Sequence, residues 1–275
     1  MNCLQLLRQH YGEGEGYALY RMLMEERFGL SHTDILLGKD KEIPEESQAS
    51  LEKITARLLE NEPLQYILGY EHFFGHKFAV ESGVLIPRRE TELLVHHALE
   101  KAQEMNAAGQ PKILDIGTGS GCIAVSMALV GCEVTAMDVS RKALDIASRN
   151  AQKLGAQVIF VQDNILQPSL CMNRWDVIVS NPPYVCLHEM ESMNKNVLEY
   201  EPVEALFVPD YNPLIFYKAI ASYALSHLNL GGWLCLEINE AYPDEMGSLL
   251  SSFGFQDVQI MQDQYDKKRF AFAHI

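Results

Sequence analysis

The residues whose types best fit a chemical role are Asn181-Pro182-Pro183-Tyr184. They follow the apolar run 175–180, which predicts a buried strand, and the two prolines end it because proline cannot continue a hydrogen-bonded ladder. The motif therefore lies at the carboxyl end of a strand, where open parallel sheets bind ligands. The Asn181 side chain and the Pro182 main chain each offer a carbonyl acceptor, and Tyr184 offers an aromatic face. This set predicts a socket for a planar NH2 group, although the motif alone is as typical of a rigid turn.

A second motif is a strand-to-helix turn in which three glycines are spaced G-x-G-x-G, preceded by Asp115 in a short apolar strand. Glycines there let a ligand approach the backbone and leave N–H groups free to bind it. A glycine-rich turn by itself is a weak signal, because dinucleotide-binding folds share it. With Asp115 ahead of it, the spacing resembles the S-adenosylmethionine site of class I methyltransferases. The cofactor residues predicted here are Asp115 and, in the turn, Gly117, Thr118, Gly119, Ser120 and Gly121.

The ends of the next two predicted strands are also polar. Asp138 follows the strand 133–137, and a carboxylate there can accept hydrogen bonds from both ribose hydroxyls of a nucleoside. The alternative is an acidic neighbour of the helix N-cap Ser140, but the glycine turn upstream favours the ribose role. Asp163 and Asn164 follow the third strand, where an adenine ring would pack, and a polar turn explains both residues equally well. We assign all three polar residues to the predicted cofactor site.

The chain divides near residue 85 into a helical part and a part in which strands and helices alternate. Before this point, helical spacing covers 2–10, 14–28, 31–37 and 45–61. A β-hairpin that turns near Gly75 connects this helical bundle to the sheet. From Lys112 onward the alternation predicts parallel strands, and the last two runs, 256–261 and 269–274, predict an antiparallel pair at the sheet edge.

Composition limits the function classes. The 275 residues are 48% hydrophobic, which supports a packed core. A net charge of −15 argues against free nucleic acid as a partner, since proteins that grip phosphates need a basic surface. The sequence predicts neither a membrane span nor a signal peptide, and hence a cytoplasmic protein. The six cysteines form no C-x-x-C pair and the nine histidines predict no ligand cluster, so we expect no metal.

The combined motifs resemble the PrmC/HemK family of protein-(glutamine-N5) methyltransferases. The segments that carry the resemblance are 65–69, 85–94, 115–124, 181–184 and 200–202. It implies an α/β fold of the class I (Rossmann-like) methyltransferases, with a seven-stranded, mostly parallel sheet. It also implies an N-terminal helical bundle at 1–68 that docks the protein substrate, a β-hairpin and linker at 69–90, and an S-adenosylmethionine-dependent methyltransferase domain at 91–275.

The resemblance further implies a substrate and site roles. The cofactor is S-adenosyl-L-methionine, and the acceptor is the glutamine of the Gly-Gly-Gln loop of class I peptide-chain release factors. Asn181, Pro182 and Tyr184 are predicted to be catalytic, with Asn181 also at the cofactor, and Pro183 and Glu201 complete the substrate site. Because an amide nitrogen needs orientation and acceptors more than a strong base, we expect no perturbed histidine or glutamate at the centre. We expect a monomer that binds no membrane.

Several points stay open. The chain departs from the family pattern at Arg89, in 203–213 and at Asn239. Arg88 and Glu90 lie either over the cofactor mouth or in a salt-bridged pair that fixes the linker, and Glu201 could instead cap its loop. Alternative functions are an adenine-N6 nucleic-acid methyltransferase, which shares the NH2 socket, a ribosomal-protein glutamine methyltransferase, and a non-catalytic module that binds a translation factor.

Overall fold

A computed structural model describes residues 2–105, 109–169 and 172–275. The chain falls into two compact units. The first contains the described residues up to Tyr70 together with Met193–Tyr200, and the second contains the other described residues.

The secondary-structure elements are numbered in chain order. The helices are α1 (Cys3–Tyr11), α2 (Glu13–Phe28), α3 (His32–Leu36), α4 (Glu45–Leu59), α5 (Leu64–Leu68), α6 (Arg89–Glu104), α7 (Cys122–Leu129), α8 (Arg141–Leu154), α9 (Lys195–Tyr200), α10 (Val203–Leu206), α11 (Ile215–His227) and α12 (Pro243–Ser252). The strands are β1 (Tyr70–Phe73), β2 (His76–Ala79), β3 (Lys112–Ile116), β4 (Glu133–Asp138), β5 (Val158–Gln162), β6 (Trp175–Ser180), β7 (Val185–Cys186), β8 (Phe207–Val208), β9 (Leu228–Glu237), β10 (Gln256–Gln262) and β11 (Lys268–His274). Short 3-10 helices cover Lys39–Glu42 and Leu187–Ser192.

The first unit is helical. The four helices predicted before residue 62 are confirmed as α1 to α4, with ends within two residues of the prediction. α1 begins with a capping box between Asn2 and Gln5, and α3 begins with one between Ser31 and Asp34, which satisfies N–H groups that a helix start leaves free. The buried core of this unit includes Leu7, Leu23, Met24, Leu58 and Leu64.

The predicted hairpin is confirmed as β1 and β2. Its two turn residues, Phe74 and Gly75, have φ angles of 49° and 78°, as a two-residue turn matched to strand twist requires. Asn150 of α8 anchors the second strand, because its Oδ1 accepts from the Ala79 N–H at 2.8 Å and its Nδ2 donates to the Ala79 carbonyl at 3.0 Å. The hairpin is therefore fixed to the helix that follows β4.

The second unit is built on a seven-stranded sheet in the order β10-β11-β9-β6-β3-β4-β5. The last five strands of this order run parallel, whereas β11 is antiparallel to both β9 and β10. The predicted mostly parallel sheet with an antiparallel pair at its edge is confirmed. α6 and α7 cover one face and α11 and α12 the other, so β6 is buried along its whole length.

The strand order reverses at β3, which has β4 on one side and β6 on the other. Ile116 pairs with Met137 of β4 and with Ser180 of β6, so three strand ends lie side by side. The residues that follow are the glycine turn, Asp138 and Asn181. Open α/β sheets bind ligands at such a reversal, and the fold thus brings the two predicted motifs to one edge.

Several strand ends differ from the predictions by one residue, and the start of β9 differs most. The sequence predicts a third strand over 157–161 and a fifth over 231–238, whereas β5 spans Val158–Gln162 and β9 spans Leu228–Glu237. Gly231 has a φ angle of 77° and donates its N–H to the Ile275 carbonyl, so the strand continues through the glycine instead of starting there. Among the described residues, no helix combines the length and apolar character that crossing a membrane requires.

Candidate active site

The 181–184 motif is held at the carboxyl end of β6. Ser180, the last residue of the strand, is buried, and its hydroxyl donates to the Ile116 carbonyl at the end of β3 at 2.6 Å. Beyond the prolines, the Tyr184 N–H donates to the Leu206 carbonyl at 3.2 Å, and β7 then pairs with β8. The backbone of the motif is therefore fixed on both sides.

The side chains of Asn181 and Tyr184 are both tied to one carboxylate, Glu237 at the end of β9. Asn181 Nδ2 donates to Thr91 Oγ1 at 3.2 Å, and Thr91 Oγ1 donates to Glu237 Oε2 at 2.7 Å. Tyr184 Oη donates to Glu237 Oε1 at 3.0 Å. The Tyr184 carbonyl accepts from Asn239 Nδ2 at 3.0 Å, so a residue that departs from the family pattern supports the motif. The structure brings the predicted catalytic side chains together around this carboxylate.

Glu237 corrects one prediction, because we expected no perturbed glutamate at the centre. Its exposed fraction is 1%. Burial raises the pKa of this carboxyl, while the hydroxyls of Thr91 and Tyr184 and the nearby Arg269 act in the opposite direction. The sequence signal that we missed is a glutamate that closes an otherwise apolar buried strand, since a buried charge needs dedicated partners.

The glycine turn is fastened to the neighbouring strand β4, which corrects the expectation of free N–H groups, because those of Gly117, Thr118 and Gly119 are bonded within the protein. The N–H groups of Gly117 and Thr118 donate to the Met137 carbonyl at 2.8 and 3.0 Å. Gly121 has a φ angle of 81°, and a Cβ built on it would lie 2.8 Å from the Ala147 Cβ of α8. Glycine is thus required where α7 begins, both for the left-handed backbone and for the close approach of α8.

Asp115 lies under this turn and is fully buried. Its Oδ2 accepts from Thr118 Oγ1 at 2.7 Å and from the Ala124 N–H at 3.2 Å. Its Oδ1 is buried without a hydrogen-bond partner among the described residues. Burial, with a smaller effect of Asp138, raises the pKa of Asp115 to about 7. A buried carboxylate with one unused oxygen is suited to a cationic ligand group.

Asp138 closes β4 and contacts the turn. Its Oδ2 accepts from the Gly119 N–H at 2.9 Å, and its Oδ1 accepts from the Ser140 N–H at 2.8 Å. Burial raises the pKa of this carboxyl, and these N–H donors act against the increase. Ser140 is confirmed as the N-cap of α8, because its Oγ accepts from the Ala143 N–H. Each Asp138 oxygen retains a lone pair, so the ribose role stays a prediction beside the observed backbone contacts.

Asp163 and Asn164 form a polar turn after β5. The Asp163 carboxylate accepts from the N–H groups of Asn164 and Ser169, and Asn164 Oδ1 accepts from the Leu166 N–H at 3.0 Å. The Asp163 N–H donates to the Asp138 carbonyl at 3.1 Å, which keeps the ends of β4 and β5 together. The turn thus lies beside Asp138, and contact with adenine remains a prediction.

Glu201 is buried and anchors the linker that precedes α6. Its Oε1 lies 2.6 Å from Arg88 Nη2, and its Oε2 accepts from the Ile86 N–H at 3.1 Å. Neither expectation for Glu201 included these linker contacts, since the alternative to substrate binding was a cap of its own loop. Its role in substrate binding stays a prediction. One of the two alternatives for Arg88 was a salt bridge with Glu90, whereas its observed partner is Glu201, which lies 113 positions away and leaves no local sequence signal.

Comparison with known sequences decides the family. The PrmC N-terminal domain model matches residues 2–69, and the Methyltransferase small domain model matches residues 89–200. A release factor glutamine methyltransferase from Bacteroides thetaiotaomicron is 41% identical over 273 residues, which cover 98% of this chain and 96% of that protein. The chain belongs to the release factor glutamine methyltransferase family. A second member, from Flavobacterium psychrophilum, is 39% identical, with 97% and 94% of the two chains covered.

Solved structures show the fold that this family member shares. A methyltransferase from Pyrococcus furiosus has a TM-score of 0.52 at 20% identity, covering 80% of this chain and 95% of that one. The 16S rRNA N2 G1207 methyltransferase from Thermus thermophilus, solved with AdoMet and guanosine, has a TM-score of 0.50 at 18% identity, with 74% and 49% covered. At these identities the likeness concerns the fold, which is that of class I methyltransferases.

S-adenosylmethionine is the cofactor of this methyltransferase. The residues at the β3–β4 edge fit it in two respects. The unused Oδ1 of Asp115 can receive a cationic group, and the cofactor carries an ammonium and a sulfonium. A Cβ built on Gly117 or on Gly119 would meet no atom within 4 Å, so the turn is open to a ligand.

A side-chain cluster beside the motif bears on the expectation that the chain holds no metal, which stays a prediction. We predicted no histidine ligand cluster, but Cys186, His188 and Asp210 each offer a metal-ligand atom, and these atoms lie within 4.8 Å of one another. His188 Nδ1 and Asp210 Oδ1 are 2.8 Å apart, and Cys186 Sγ lies 3.4 Å from Tyr242 Oη. A C-x-H pair was visible in the sequence, whereas Asp210 is brought in by the pairing of β7 with β8.

Proposed function

We propose that the chain transfers a methyl group from S-adenosylmethionine to the side-chain amide nitrogen (N5) of the glutamine in the Gly-Gly-Gln motif of class I peptide-chain release factors. The names of the family members support this substrate. The structural observation that carries the proposal is the fixed Asn181 amide, whose Nδ2 is bonded to Thr91 at 3.2 Å, which leaves Oδ1 as an acceptor at the ligand-binding edge. The Pro182 carbonyl is the second acceptor for a substrate NH2 group.

The chemistry that the residues must perform follows from the amide. When bound, S-adenosylmethionine supplies an electrophilic methyl group on a sulfonium. An amide nitrogen is a weak nucleophile because its lone pair is delocalised into the carbonyl. Asn181 and Pro182, by accepting its two N–H groups, increase the electron density on nitrogen and stabilise the positive charge that develops there. They also hold the nitrogen at about 3–3.5 Å from the methyl group, in line for transfer.

Tyr184 completes the proposed socket. Its hydroxyl is held by Glu237 and its carbonyl by Asn239, so its ring is fixed relative to Asn181. A fixed aromatic ring can stack on the planar amide of the substrate and attract the positive charge of the transferred group. Glu237 accepts hydrogen bonds from Thr91 and Tyr184, and the proposed reaction needs no strong base, because the proton on the methylated nitrogen is acidic enough to leave to water.

The release factor is the proposed partner of the first unit. We assign docking to residues 1–68, linkage to 69–90 and methyl transfer to 91–275. Two exposed leucines of the first unit support a protein-binding surface there, since Leu36 and Leu37 have exposed fractions of 70% and 71%. We further propose that the protein acts as a monomer in the cytoplasm. We also propose that free nucleic acid is not a partner, because a net charge of −15 disfavours contact with phosphates.

The test is transfer of a labelled methyl group from S-adenosylmethionine. The purified full chain is offered an intact class I release factor, the same factor with its Gly-Gly-Gln glutamine changed to alanine, and adenine-containing DNA. We expect label on the intact factor alone. Label on the altered factor would refute the assigned glutamine, and label on DNA alone would replace the proposal with adenine methylation.

A matched pair of variants separates catalysis from binding. Asn181→Ala should abolish transfer while S-adenosylmethionine and release factor still bind, because it removes an acceptor without touching the glycine turn. The control Asn229→Ala removes the same side chain at the opposite end of β6, where Nδ2 donates to Asp176 Oδ1 at 2.7 Å, and it should leave methyl transfer unchanged. If Asn181→Ala retained full turnover, the socket would have been assigned to the wrong residue.

A further inference from the structure

A buried polar chain joins three elements of the second unit. Thr91 lies in the first turn of α6 with an exposed fraction of 3%, and Glu237 ends β9 with an exposed fraction of 1%. The chain runs from Asn181 Nδ2 to Thr91 Oγ1 at 3.2 Å and from Thr91 Oγ1 to Glu237 Oε2 at 2.7 Å. Each buried polar group needs a hydrogen-bond partner, and here each group is the partner of the next, which fixes the side chains relative to one another.

The protons in this chain can be assigned from chemistry alone. An ionised carboxylate only accepts hydrogen bonds, so when Glu237 is ionised the single proton of the Thr91 hydroxyl is committed to it. The same carboxylate receives the Tyr184 hydroxyl on its other oxygen at 3.0 Å. Thr91 Oγ1 can then only accept from Asn181, and the group that meets it must be the NH2 end of the Asn181 amide. The direction of the amide is therefore dictated by a residue that is itself out of reach of solvent.

We propose that Thr91 and Glu237 are positioning residues that orient the Asn181 amide with its Nδ2 inward and its Oδ1 toward the acceptor substrate. This inference rests on the proposed function, in which the substrate group is an NH2. An amide turned the other way would present its own N–H groups to the substrate N–H groups, and the acceptor would be lost. The pair thereby selects a hydrogen-bond-donating substrate group over a carboxylate, and hence glutamine over glutamate.

Two variants of Thr91 test the hydrogen-bonded chain. Thr91→Val has nearly the same shape but can neither accept from Asn181 nor donate to Glu237. We expect it to lower kcat by about 10²-fold, the loss typical of a misplaced catalytic group, with KM for the release factor and affinity for S-adenosylmethionine within about twofold of wild type. Thr91→Ser restores the hydroxyl and should restore kcat to within about tenfold of wild type.

The matched control is Thr55→Val in α4. Thr55 is equally buried, with an exposed fraction of 4%, and its hydroxyl donates to the Leu51 carbonyl at 2.7 Å. It makes the same chemical change in the first unit, so it reports the effect of losing a buried threonine hydroxyl in general. Because the Thr55 side chain is buried inside the helical unit and not on the surface that would meet the release factor, we expect the kcat of Thr55→Val to be that of wild type. A Thr91→Val enzyme with wild-type kcat would overturn the proposal, as would a Thr91→Ser enzyme no better than Thr91→Val.

A readout that needs no substrate separates this inference from the proposed function. In the 15N-labelled full chain, the side-chain NH2 signal of Asn181, assigned by its disappearance in Asn181→Asp, should show slowed proton exchange. Thr91→Val should bring this exchange to the rate of a solvent-exposed asparagine, and Thr91→Ser should not. If the signal responds in this way but the wild type transfers no methyl group to the release factor, the proposed function fails and the positioning role stands. If Thr91→Val leaves the exchange unchanged, the positioning role fails.

Discussion

The close approach of α7 and α8 beneath the glycine turn can be tested by adding one methyl group. Gly121→Ala places a Cβ 2.8 Å from Ala147 Cβ and 3.1 Å from Ala147 Cα, on a backbone with a φ angle of 81°. The left-handed backbone costs alanine about 1–2 kcal/mol, and overpacking costs about 1–3 kcal/mol more. We therefore expect the free energy of unfolding of the second unit to fall by about 2–5 kcal/mol.

The chain supplies a control with the same backbone and no contact. Gly155 caps α8 with a φ angle of 75°, and a Cβ built on it would meet nothing within 4 Å. Gly155→Ala should thus lose only the backbone part, about 1–2 kcal/mol. The two variants differ in packing alone, so their difference measures the cost of pushing the helices apart.

Denaturant unfolding followed by tryptophan fluorescence is the assay. The two tryptophans, Trp175 of β6 and Trp233 of β9, both lie in the sheet, so the signal reports the second unit. In addition, Gly121→Ala should weaken S-adenosylmethionine binding more than Gly155→Ala does, because α7 begins at the turn. Equal losses of stability in the two variants would refute the argument that the approach of Ala147 requires a glycine at position 121.

Three further predictions concern charged groups. Burial raises the pKa of Asp115 to about 7, so the stability contributed by its protonated form is present at low pH and is lost as the pH rises through 7. In chemical unfolding, Asp115→Asn should therefore become more stable relative to wild type between about pH 5 and pH 8. A difference in stability that does not change with pH would contradict the raised pKa. Chelator treatment should leave methyl transfer unchanged. If the Cys186, His188 and Asp210 cluster binds Co²⁺, measured by the thiolate absorption band, the double variant Cys186→Ser/His188→Asn should abolish that binding. Arg88→Met leaves the buried Glu201 carboxylate without its cation and should cost about 2 kcal/mol in unfolding, whereas an unchanged midpoint would show that the pair contributes little.

The sequence predicts best those elements that glycine or proline residues begin or end. The glycine turn separates β3 from α7, and the prolines after Asn181 end β6, so both elements have the predicted limits. Apolar runs of five or six residues between such signals leave little choice of structure. The limits of β9 are less well predicted because Gly231, a usual breaker, lies within that strand.

The support of the site could not be read from the sequence. Thr91 and Glu237 are 146 positions apart in the sequence, and Asn181 and Thr91 are 90 positions apart. Local residue spacing therefore cannot predict these contacts between the three residues. Their meeting depends on the order of strands in the sheet, which places β9 beside β6, and on α6 packing against that face. Residue types at strand ends indicate where chemistry occurs, but not which buried groups orient it.

The division of the chain also limits how its parts can be exchanged. The first unit ends at Tyr70 but regains Met193–Tyr200, so the polypeptide passes between the units three times. Within that unit, the Tyr200 hydroxyl donates to the Glu60 carbonyl at 2.8 Å. A fusion or deletion made at residue 70 would therefore remove α9 from the helical unit. The second unit would keep α9 in its chain without the helices that it packs with. Recombination that exchanges the first unit for that of another family member would therefore have to exchange both pieces together.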